Sequence, residues 1–241
     1  MGFRNGSPHH NGEELIARSV LVQTNPRVIV DVGANRGEFV QTFLEAAPEA
    51  TVHCFEPSER YFAELSASLS NGRVRLNNLA LSDREGEVEF DEPDSESLYG
   101  STFAGRRGAK STFLVWHKSM VRATTLDCYV ATAGIEEVDY LKVDVDGAEH
   151  AVLDGARNLI EQQRIRFIHM EMSSHSLLTG LTLLHLMQTL PGYDIFRMLP
   201  RRLVPLIDQK RCYNHDDEIF HYCNLLIVRQ DQRHFVDRFV R

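Results

Sequence analysis

Short runs of branched apolar residues alternate along the chain with segments in which apolar residues recur at helical spacing. This alternation is typical of an α/β protein with a mostly parallel sheet and helices on both faces. The pattern predicts strands over residues 27–32, 51–55, 74–81, 87–90, 138–143, 165–172, 194–198 and 222–229. It predicts helices over residues 13–23, 37–47, 59–69, 125–133, 148–162 and 181–190. About seven strands are expected in the sheet, with the last two forming an antiparallel hairpin at one edge.

Residues 91–120 interrupt this order, because they lack periodicity and carry Gly, Ser and charged residues. The length of this stretch favours either a loosely held connection or a lid over a pocket. Its aromatic and basic side chains suit a sugar or polyketide acceptor, although packing against the domain explains them equally well. These side chains are Tyr99, Phe103, Arg106, Arg107, Lys110, Trp116 and His117. We therefore expect a tail and lead-in helix over 1–24 and one domain over 25–241, with a lid or acceptor insertion at 91–120.

Composition narrows the class of protein. The chain has 241 residues and a formal net charge of −8, so it is a poor candidate for a nucleic-acid partner, which requires clustered Lys and Arg. The four cysteines are scattered without a C-x-x-C pair, which favours a reducing compartment. No secretory signal is visible, and no apolar run approaches the roughly 18 residues of a membrane span. A cytoplasmic location is expected, and the sequence is compatible with either a monomer or a homodimer.

The turn after the first predicted strand, Asp31-Val32-Gly33-Ala34-Asn35-Arg36-Gly37, has the strand–turn–helix arrangement that presents backbone N–H groups to a ligand. Gly33 permits the sharp turn, Gly37 allows close packing, and Asn35 tolerates a left-handed conformation in place of a middle glycine. A carboxylate at Asp31 repels a pyrophosphate but suits an ammonium or a sulfonium. Glu56 ends the second strand, 19 residues after Gly37, where an acid accepts hydrogen bonds from ribose hydroxyls.

These residues belong to a series of motifs that resembles the FkbM family of S-adenosylmethionine-dependent methyltransferases. The motifs are Val30 to Gly37, Phe55-Glu56-Pro57, Leu79 to Asp83 with Gly86, Thr125-Leu126-Asp127, Asp139 to Glu149, Val152-Leu153 and Gly155-Ala156. The similarity runs in order from about Val28 to Met172, which a chance match to one loop would not do. It implies a class I methyltransferase fold and methyl transfer, usually to a hydroxyl oxygen of a sugar or polyketide-type acceptor.

The resemblance also implies roles for individual residues. Asp31, Gly33, Asn35 and Gly37 would hold the methionine moiety of S-adenosylmethionine and Glu56 its ribose. Ala80 and Leu81 would border the adenine, and Asp144 would lie beside the sulfonium. The cofactor-binding set is completed by Ala34 and Pro57, which lie within the same motifs. The family often has Glu where this chain has Asp146, and the shorter side chain leaves a direct role for that position open.

An alcohol nucleophile must lose a proton, so a base is expected at the carboxyl ends of the strands. Asp144, Glu149, Glu171 and His175 are the candidate catalytic residues. A carboxylate in the first turn of a helix explains Glu149 equally well. For Glu171, a structural ion pair with an arginine is favoured over direct catalysis. His175 has the best-matched ordinary pKa, but the chain has eleven histidines.

Metals and other activities remain as alternatives. Asp144, Asp146 and Glu171 offer oxygen atoms to Mg²⁺, although no spacing requires it, and no metal ligands are assigned. Cys212, His215, His221 and Cys223 do not have a standard zinc spacing. A nicotinamide-dependent oxidoreductase is disfavoured because G-x-G-x-x-G is missing, and a non-catalytic cofactor-binding module because the acids are intact. The expected partner is a small molecule with a hydroxyl group.

Overall fold

The computed structural model describes residues 12–69, 71–93, 116–173, 176, 179–208 and 222–240. Its strands are β1 (Val28–Val32), β2 (Thr51–Phe55), β3 (Val74–Asn77), β4 (Ala80–Leu81), β5 (Gly86–Pro93), β6 (Trp116–Thr124), β7 (Val138–Val143), β8 (Ile165–Met172), β9 (Tyr193–Leu199), β10 (Arg202–Ile207) and β11 (Cys223–Arg229). Its α-helices are α1 (Glu13–Thr24), α2 (Glu38–Ala46), α3 (Glu59–Ser68), α4 (Leu126–Ala133), α5 (Glu149–Asp154), α6 (Arg157–Glu161) and α7 (Leu183–Thr189). Two 3₁₀ helices follow, Gln230–Phe235 and Asp237–Phe239.

The main sheet has eight strands in the order β10-β9-β11-β8-β7-β1-β2-β3. The strands from β8 to β3 are parallel, and β11, β9 and β10 extend this sheet with antiparallel pairings. The predicted class I methyltransferase fold, with helices over a mostly parallel sheet, is therefore confirmed. The strand number differs by one, because β10 was not predicted.

Strand β10 also corrects the position of the predicted hairpin. Strands β9 and β11 pair antiparallel as expected, but they lie inside the sheet, and β10 is the edge strand. Pro205 lies within β10, where the register shifts between Pro205 and Ile207. Since proline cannot donate to a ladder, it is tolerated on an edge strand but weakens the strand pattern in the sequence.

A second, three-stranded sheet has the order β4-β6-β5. It corrects the single strand predicted over 74–81, because this segment forms two strands, β3 in the main sheet and β4 in the second one. The chain leaves the main sheet at Asn78, whose side chain donates to the backbone oxygens of Glu56 and Pro57. The second sheet also corrects both ends of the irregular stretch predicted over 91–120, because β5 continues to Pro93 and β6 begins at Trp116. Residues 94–115, including the predicted insertion's Tyr99 and Phe103, lie outside the described residues.

Helices cover both faces of the main sheet. Helix α1 buries Ile16, Ala17, Val20 and Leu21 completely, in the same apolar cluster as α2 and one face of β1. Helices α4 to α7 contribute to the cluster on the opposite face. Among the helices of the described residues, none combines the length and apolar character needed to cross a membrane. The domain boundary at 24/25 stays a prediction, although α1 packs into the same core as the sheet.

Local signals explain where several helices begin and end. Ser58 is the N-cap of α3 as predicted, since its Oγ accepts a hydrogen bond from the Tyr61 N–H at 3.2 Å. The helix predicted over 148–162 is interrupted at Gly155 and Ala156. A Cβ at Gly155 would lie 2.0 Å from the Ser82 carbonyl oxygen, so this close approach to the β4 end requires glycine.

Candidate active site

A cavity opens at the carboxyl ends of β1, β2, β7 and β8, where open α/β sheets bind their ligands. Nine of the ten predicted cofactor residues line it: Asp31, Gly33, Ala34, Asn35, Glu56, Pro57, Ala80, Leu81 and Asp144. Glu171, a predicted catalytic residue, lines it as well. The structure therefore brings together residues that are up to 140 positions apart in the sequence (171 − 31 = 140).

Backbone geometry shapes the turn between β1 and α2. The Gly33 and Ala34 N–H groups both donate to the Phe55 carbonyl oxygen, at 3.0 and 3.1 Å, which ties the turn to the end of β2. Gly33, Asn35 and Gly37 have φ values of 78°, 48° and 84°, so Asn35 adopts the predicted left-handed conformation. Gly37 does not line the cavity; a Cβ there would lie 2.8 Å from Leu65 Cδ1 on α3, so its role is to pack two helices together.

Gly33 cannot carry a side chain. A Cβ at this position would lie 2.0 Å from the Asp144 carbonyl oxygen. We expect Gly33→Ala to destabilise the protein by about 3 kcal/mol or more, because a positive φ and a backbone clash act together. Gly134→Ala is the matched control, since Gly134 has a φ of 66° but open space around it. Chemical denaturation should show a loss of about 1 kcal/mol for the control; equal losses would contradict the close approach to Asp144.

Glu56 is anchored at the end of β2 and is 5% exposed. Its Oε2 accepts a hydrogen bond from the Asn35 N–H and its Oε1 one from the Ser58 N–H, each at 2.9 Å. Burial raises the pKa of Glu56 to about 7, against the opposing effect of these two donors. The carboxylate is thus fixed in orientation, and each oxygen keeps a lone pair for a hydroxyl donor from a ligand.

Asp31 is the most unusual acid of the cavity. It is 1% exposed, and neither of its carboxylate oxygens has a hydrogen-bond partner among the described residues. Burial raises its pKa to about 6; the positive charge of Lys142 opposes this shift and the negative charge of Asp144 adds to it. A buried carboxylate without a partner is costly, which indicates that a ligand completes its interactions.

Lys142 is a buried cation that faces these acids. Its Nζ donates to Asp144 Oδ2 at 2.9 Å and lies 4.7 Å from the centre of the Phe39 ring. Burial alone would lower the pKa of Lys142, but the charges of Asp144, Asp31 and Glu13 raise it above its ordinary value. Lys142 therefore stays protonated and holds Asp144 in a fixed position at the end of β7.

Glu171 lies on β8, which pairs with β7 on the side away from β1. Burial raises the pKa of Glu171 well above its usual range, and the charges of Asp144 and Asp146 add to this effect. The groups that shift it most include no arginine, in contrast to the structural ion pair considered from the sequence. Tyr222 directly precedes β11 and lines the same cavity, although it is 40% exposed.

One predicted catalytic residue, Glu149, lies outside the described cavity. Glu149 is 1% exposed and does not line it; its Oε1 accepts from the Gly147 N–H at 2.8 Å and its Oε2 from Ser176 Oγ at 3.1 Å. It thereby fixes the turn that carries Asp144 and Asp146, as a first-turn carboxylate would. His175 lies outside the described residues, and its role stays a prediction.

The metal alternatives gain no support. Within the described ranges, no group of three or more His, Cys, Asp and Glu side chains is arranged to hold a metal ion. Of the four residues considered for zinc, Cys223 is a buried residue of β11, and Cys212, His215 and His221 lie outside the described residues.

Three polar residues that line the cavity, Glu13, Lys142 and Tyr222, are among those that sequence reasoning did not assign to the site. Lys142 had a signal, because a lysine within an apolar strand, two residues before an acid, lies on the same side of the strand as that acid. Glu13 had none, since an acid in the first turn of a helix is common at the surface. Tyr222 had none either, because its place in the cavity depends on the long-range pairing of β11 with β8.

Known proteins with similar sequences support the same class. A sequence profile of the methyltransferase FkbM domain matches residues 31–194, which is more than half of the chain. The 2-O-methyltransferase NoeI of Sinorhizobium fredii is 31% identical over 193 residues, covering 76% of this chain and 78% of NoeI. The 31-O-demethyl-FK506 methyltransferase FkbM of Streptomyces tacrolimicus is 30% identical over 156 residues, covering 54% of this chain and 60% of that protein.

A solved structure supports the fold. The crystal structure of a methyltransferase FkbM from Methylobacillus flagellatus KT superposes with a TM-score of 0.51 and 16% identity, over 84% of this chain and 44% of that one. The chain thus spans less than half of that longer protein. Fold and sequence together define an enzyme of the methyltransferase class. More narrowly, the chain belongs to the FkbM methyltransferase family.

Proposed function

We propose that the protein is an S-adenosylmethionine-dependent O-methyltransferase that methylates a hydroxyl group of a small molecule. The observation that carries the proposal is Asp31, a buried carboxylate without a hydrogen-bond partner among the described residues, at the end of the strand where this family matches. The names of NoeI and FkbM both specify transfer to oxygen. As the acceptor we propose a sugar, a glycoside or a polyketide-type natural product, as the resemblance in the sequence implies.

The cavity offers a separate environment to each part of the donor. Asp31 would bind the amino-acid end and Glu56 the ribose hydroxyls, because both carboxylates are buried and line the cavity, and two backbone N–H groups orient Glu56. Ala80 and Leu81 offer an apolar edge to the adenine, and Asp144 would lie beside the sulfonium. When bound, the donor supplies a methyl group that the positive charge on sulfur already activates. The protein then contributes mainly alignment of the acceptor oxygen with that methyl group.

Glu171 is our candidate for the base that takes the proton from the acceptor hydroxyl. It lines the cavity, and burial raises its pKa above the usual range, which makes its carboxylate a stronger base. Glu171 lies on β8, and Asp144 directly follows the neighbouring strand β7, so the acceptor oxygen would lie between these two acids. This placement gives Glu171 a role that does not depend on any metal ligand.

Activity measurements test the proposal. The protein should transfer a labelled methyl group from S-adenosylmethionine to members of a panel of sugars, glycosides and polyketide alcohols. Glu171→Gln should reduce kcat by about 100-fold, a typical effect of losing a general base, while the affinity for the donor changes little. Glu161→Gln serves as the matched control, because this acid lies on α6 outside the cavity.

Two outcomes would contradict the proposal. Binding of NAD in place of S-adenosylmethionine would support the oxidoreductase alternative, although the acid of the turn disfavours a pyrophosphate. Donor binding without transfer to any hydroxyl in the panel would support a non-catalytic module. This test does not address three further expectations, which stay predictions. They are that the protein has no nucleic-acid partner, that it can form a homodimer, and that its location is cytoplasmic.

A further inference from the structure

The first residue of helix α1, Glu13, reaches the cavity from outside the part of the chain that the family profile matches. The profile begins at residue 31, whereas Glu13 is 5% exposed and lines the cavity together with Asp31 and Lys142. Four completely buried residues further along α1 hold the helix against the sheet: Ile16, Ala17, Val20 and Leu21. The position of the Glu13 carboxylate is therefore set by the core.

Buried aromatic groups hold this carboxylate in place. Glu13 Oε1 lies 3.1 Å from His169 Nε2, and the other ring nitrogen of His169 lies 3.1 Å from the Tyr140 hydroxyl. His169 and Tyr140 are each 1% exposed. A chain of three buried side chains thus runs from the core to the cavity and ends in an acid. Such a fixed carboxylate is suited to binding a charged ligand group, because it loses little side-chain freedom on binding.

The charges at this end of the cavity do not balance. Four acids face it: Glu13, Asp31, Asp144 and Glu171. Among the described residues that line the cavity, only Lys142 is a lysine or an arginine. The Lys142 ammonium already donates to Asp144 at 2.9 Å. Asp31 adds an independent observation, since it is 1% exposed and neither of its carboxylate oxygens has a partner among the described residues. A cationic ligand group with several N–H donors would satisfy both requirements.

We propose that Glu13 of helix α1, together with Asp31, binds the α-ammonium group of the methyl donor. This inference rests on the proposed function, in which the donor is S-adenosylmethionine. A primary ammonium has three N–H donors and can bridge two carboxylates. His169 and Tyr140 are positioning residues that act through Glu13. Helix α1 is consequently part of the cofactor site, although it precedes the sequence motifs that define the family.

Binding of the demethylated product S-adenosylhomocysteine, compared with its analogue that lacks the α-amino group, tests this inference by calorimetry. The wild-type protein should prefer the product by about tenfold or more, as expected for a charge-assisted contact. Glu13→Gln should weaken binding of the product by about tenfold and leave binding of the analogue within about twofold, so the preference is lost. Glu13→Asp, which keeps the charge, should retain part of the preference.

Glu14→Gln is the matched control, because Glu14 is the next residue of the same helical turn but does not line the cavity. It should keep the wild-type preference. The inference is overturned if the wild-type protein binds both compounds equally, or if Glu13→Gln weakens both by the same factor. In either case binding of S-adenosylhomocysteine would leave the proposed function standing. A wild-type protein that binds neither compound would overturn the proposed function, and this inference with it.

Discussion

Replacing Asp31 with asparagine should weaken binding of S-adenosylmethionine by about 10- to 100-fold and yet leave the folded protein at least as stable as before. The loss of affinity follows from removing the charge that would meet the donor's amino-acid end. The gain in stability follows from burial, since the pKa of Asp31 rises from 3.8 to about 6 on folding. Above about pH 6 the ionised carboxylate therefore opposes folding, by up to about 3 kcal/mol.

Asp139→Asn provides the opposite case on a neighbouring strand. Asp139 is also buried, but it accepts hydrogen bonds from the backbone N–H groups of Arg27 and Val28, at 2.8 and 2.9 Å, and from Arg166 at 2.7 Å. Its loss should destabilise the protein by about 2 kcal/mol, because those donors are left without a charged acceptor. Thermal unfolding and calorimetric titration of both variants provide the comparison. A large loss of stability in Asp31→Asn would refute the idea that this acid is kept for a ligand.

The contrast between these two aspartates shows what can be predicted from the sequence. The strands β2, β7 and β8 have the predicted bounds, because each is a short run rich in β-branched and aromatic residues that is followed by polar turn residues. The acids at the strand ends were predicted by their position after such runs. Whether a buried acid is satisfied by protein donors or left for a ligand depends on which groups meet it in three dimensions. The residues next to Asp31 and Asp139 in the sequence do not show which of the two aspartates has protein donors.

Long-range pairing accounts for most of what was missed. Strand β10 begins at Arg202, directly after Arg201, and contains Pro205, so its pattern is weak, and only its pairing with β9 makes it a strand. Strand β6 looked irregular because its apolar residues are few, yet it pairs with β5 from Trp116 to Ala123. Glu13 reaches the cavity because α1 packs against the sheet beside His169. These features are consequences of tertiary contacts, and local propensity does not encode them.

Acidic pH should weaken donor binding, and this is the largest effect that we expect. Asp31 and Glu56 have pKa values raised to about 6 and about 7, and each would bind its part of the donor as a carboxylate. If only the doubly ionised site binds, the affinity for S-adenosylhomocysteine should fall by two to three orders of magnitude from about pH 7.5 to about pH 5. The fall should begin near pH 7 with Glu56 and become steeper near pH 6 as Asp31 takes up a proton.

Variants assign each part of this profile. In Glu56→Gln the fall should begin only near pH 6 and amount to about tenfold at pH 5, because Asp31 alone still titrates. In Asp31→Asn it should begin near pH 7, because Glu56 remains. Protonation of these two acids has opposite effects on folding and on binding. Below their pKa values it neutralises the buried charges and so stabilises the unliganded protein, but it also removes the carboxylates that bind the donor. An affinity that is constant from pH 7.5 to pH 5 would show that neither carboxylate contacts the donor, whereas a flat profile in Glu56→Gln alone would exclude only Asp31.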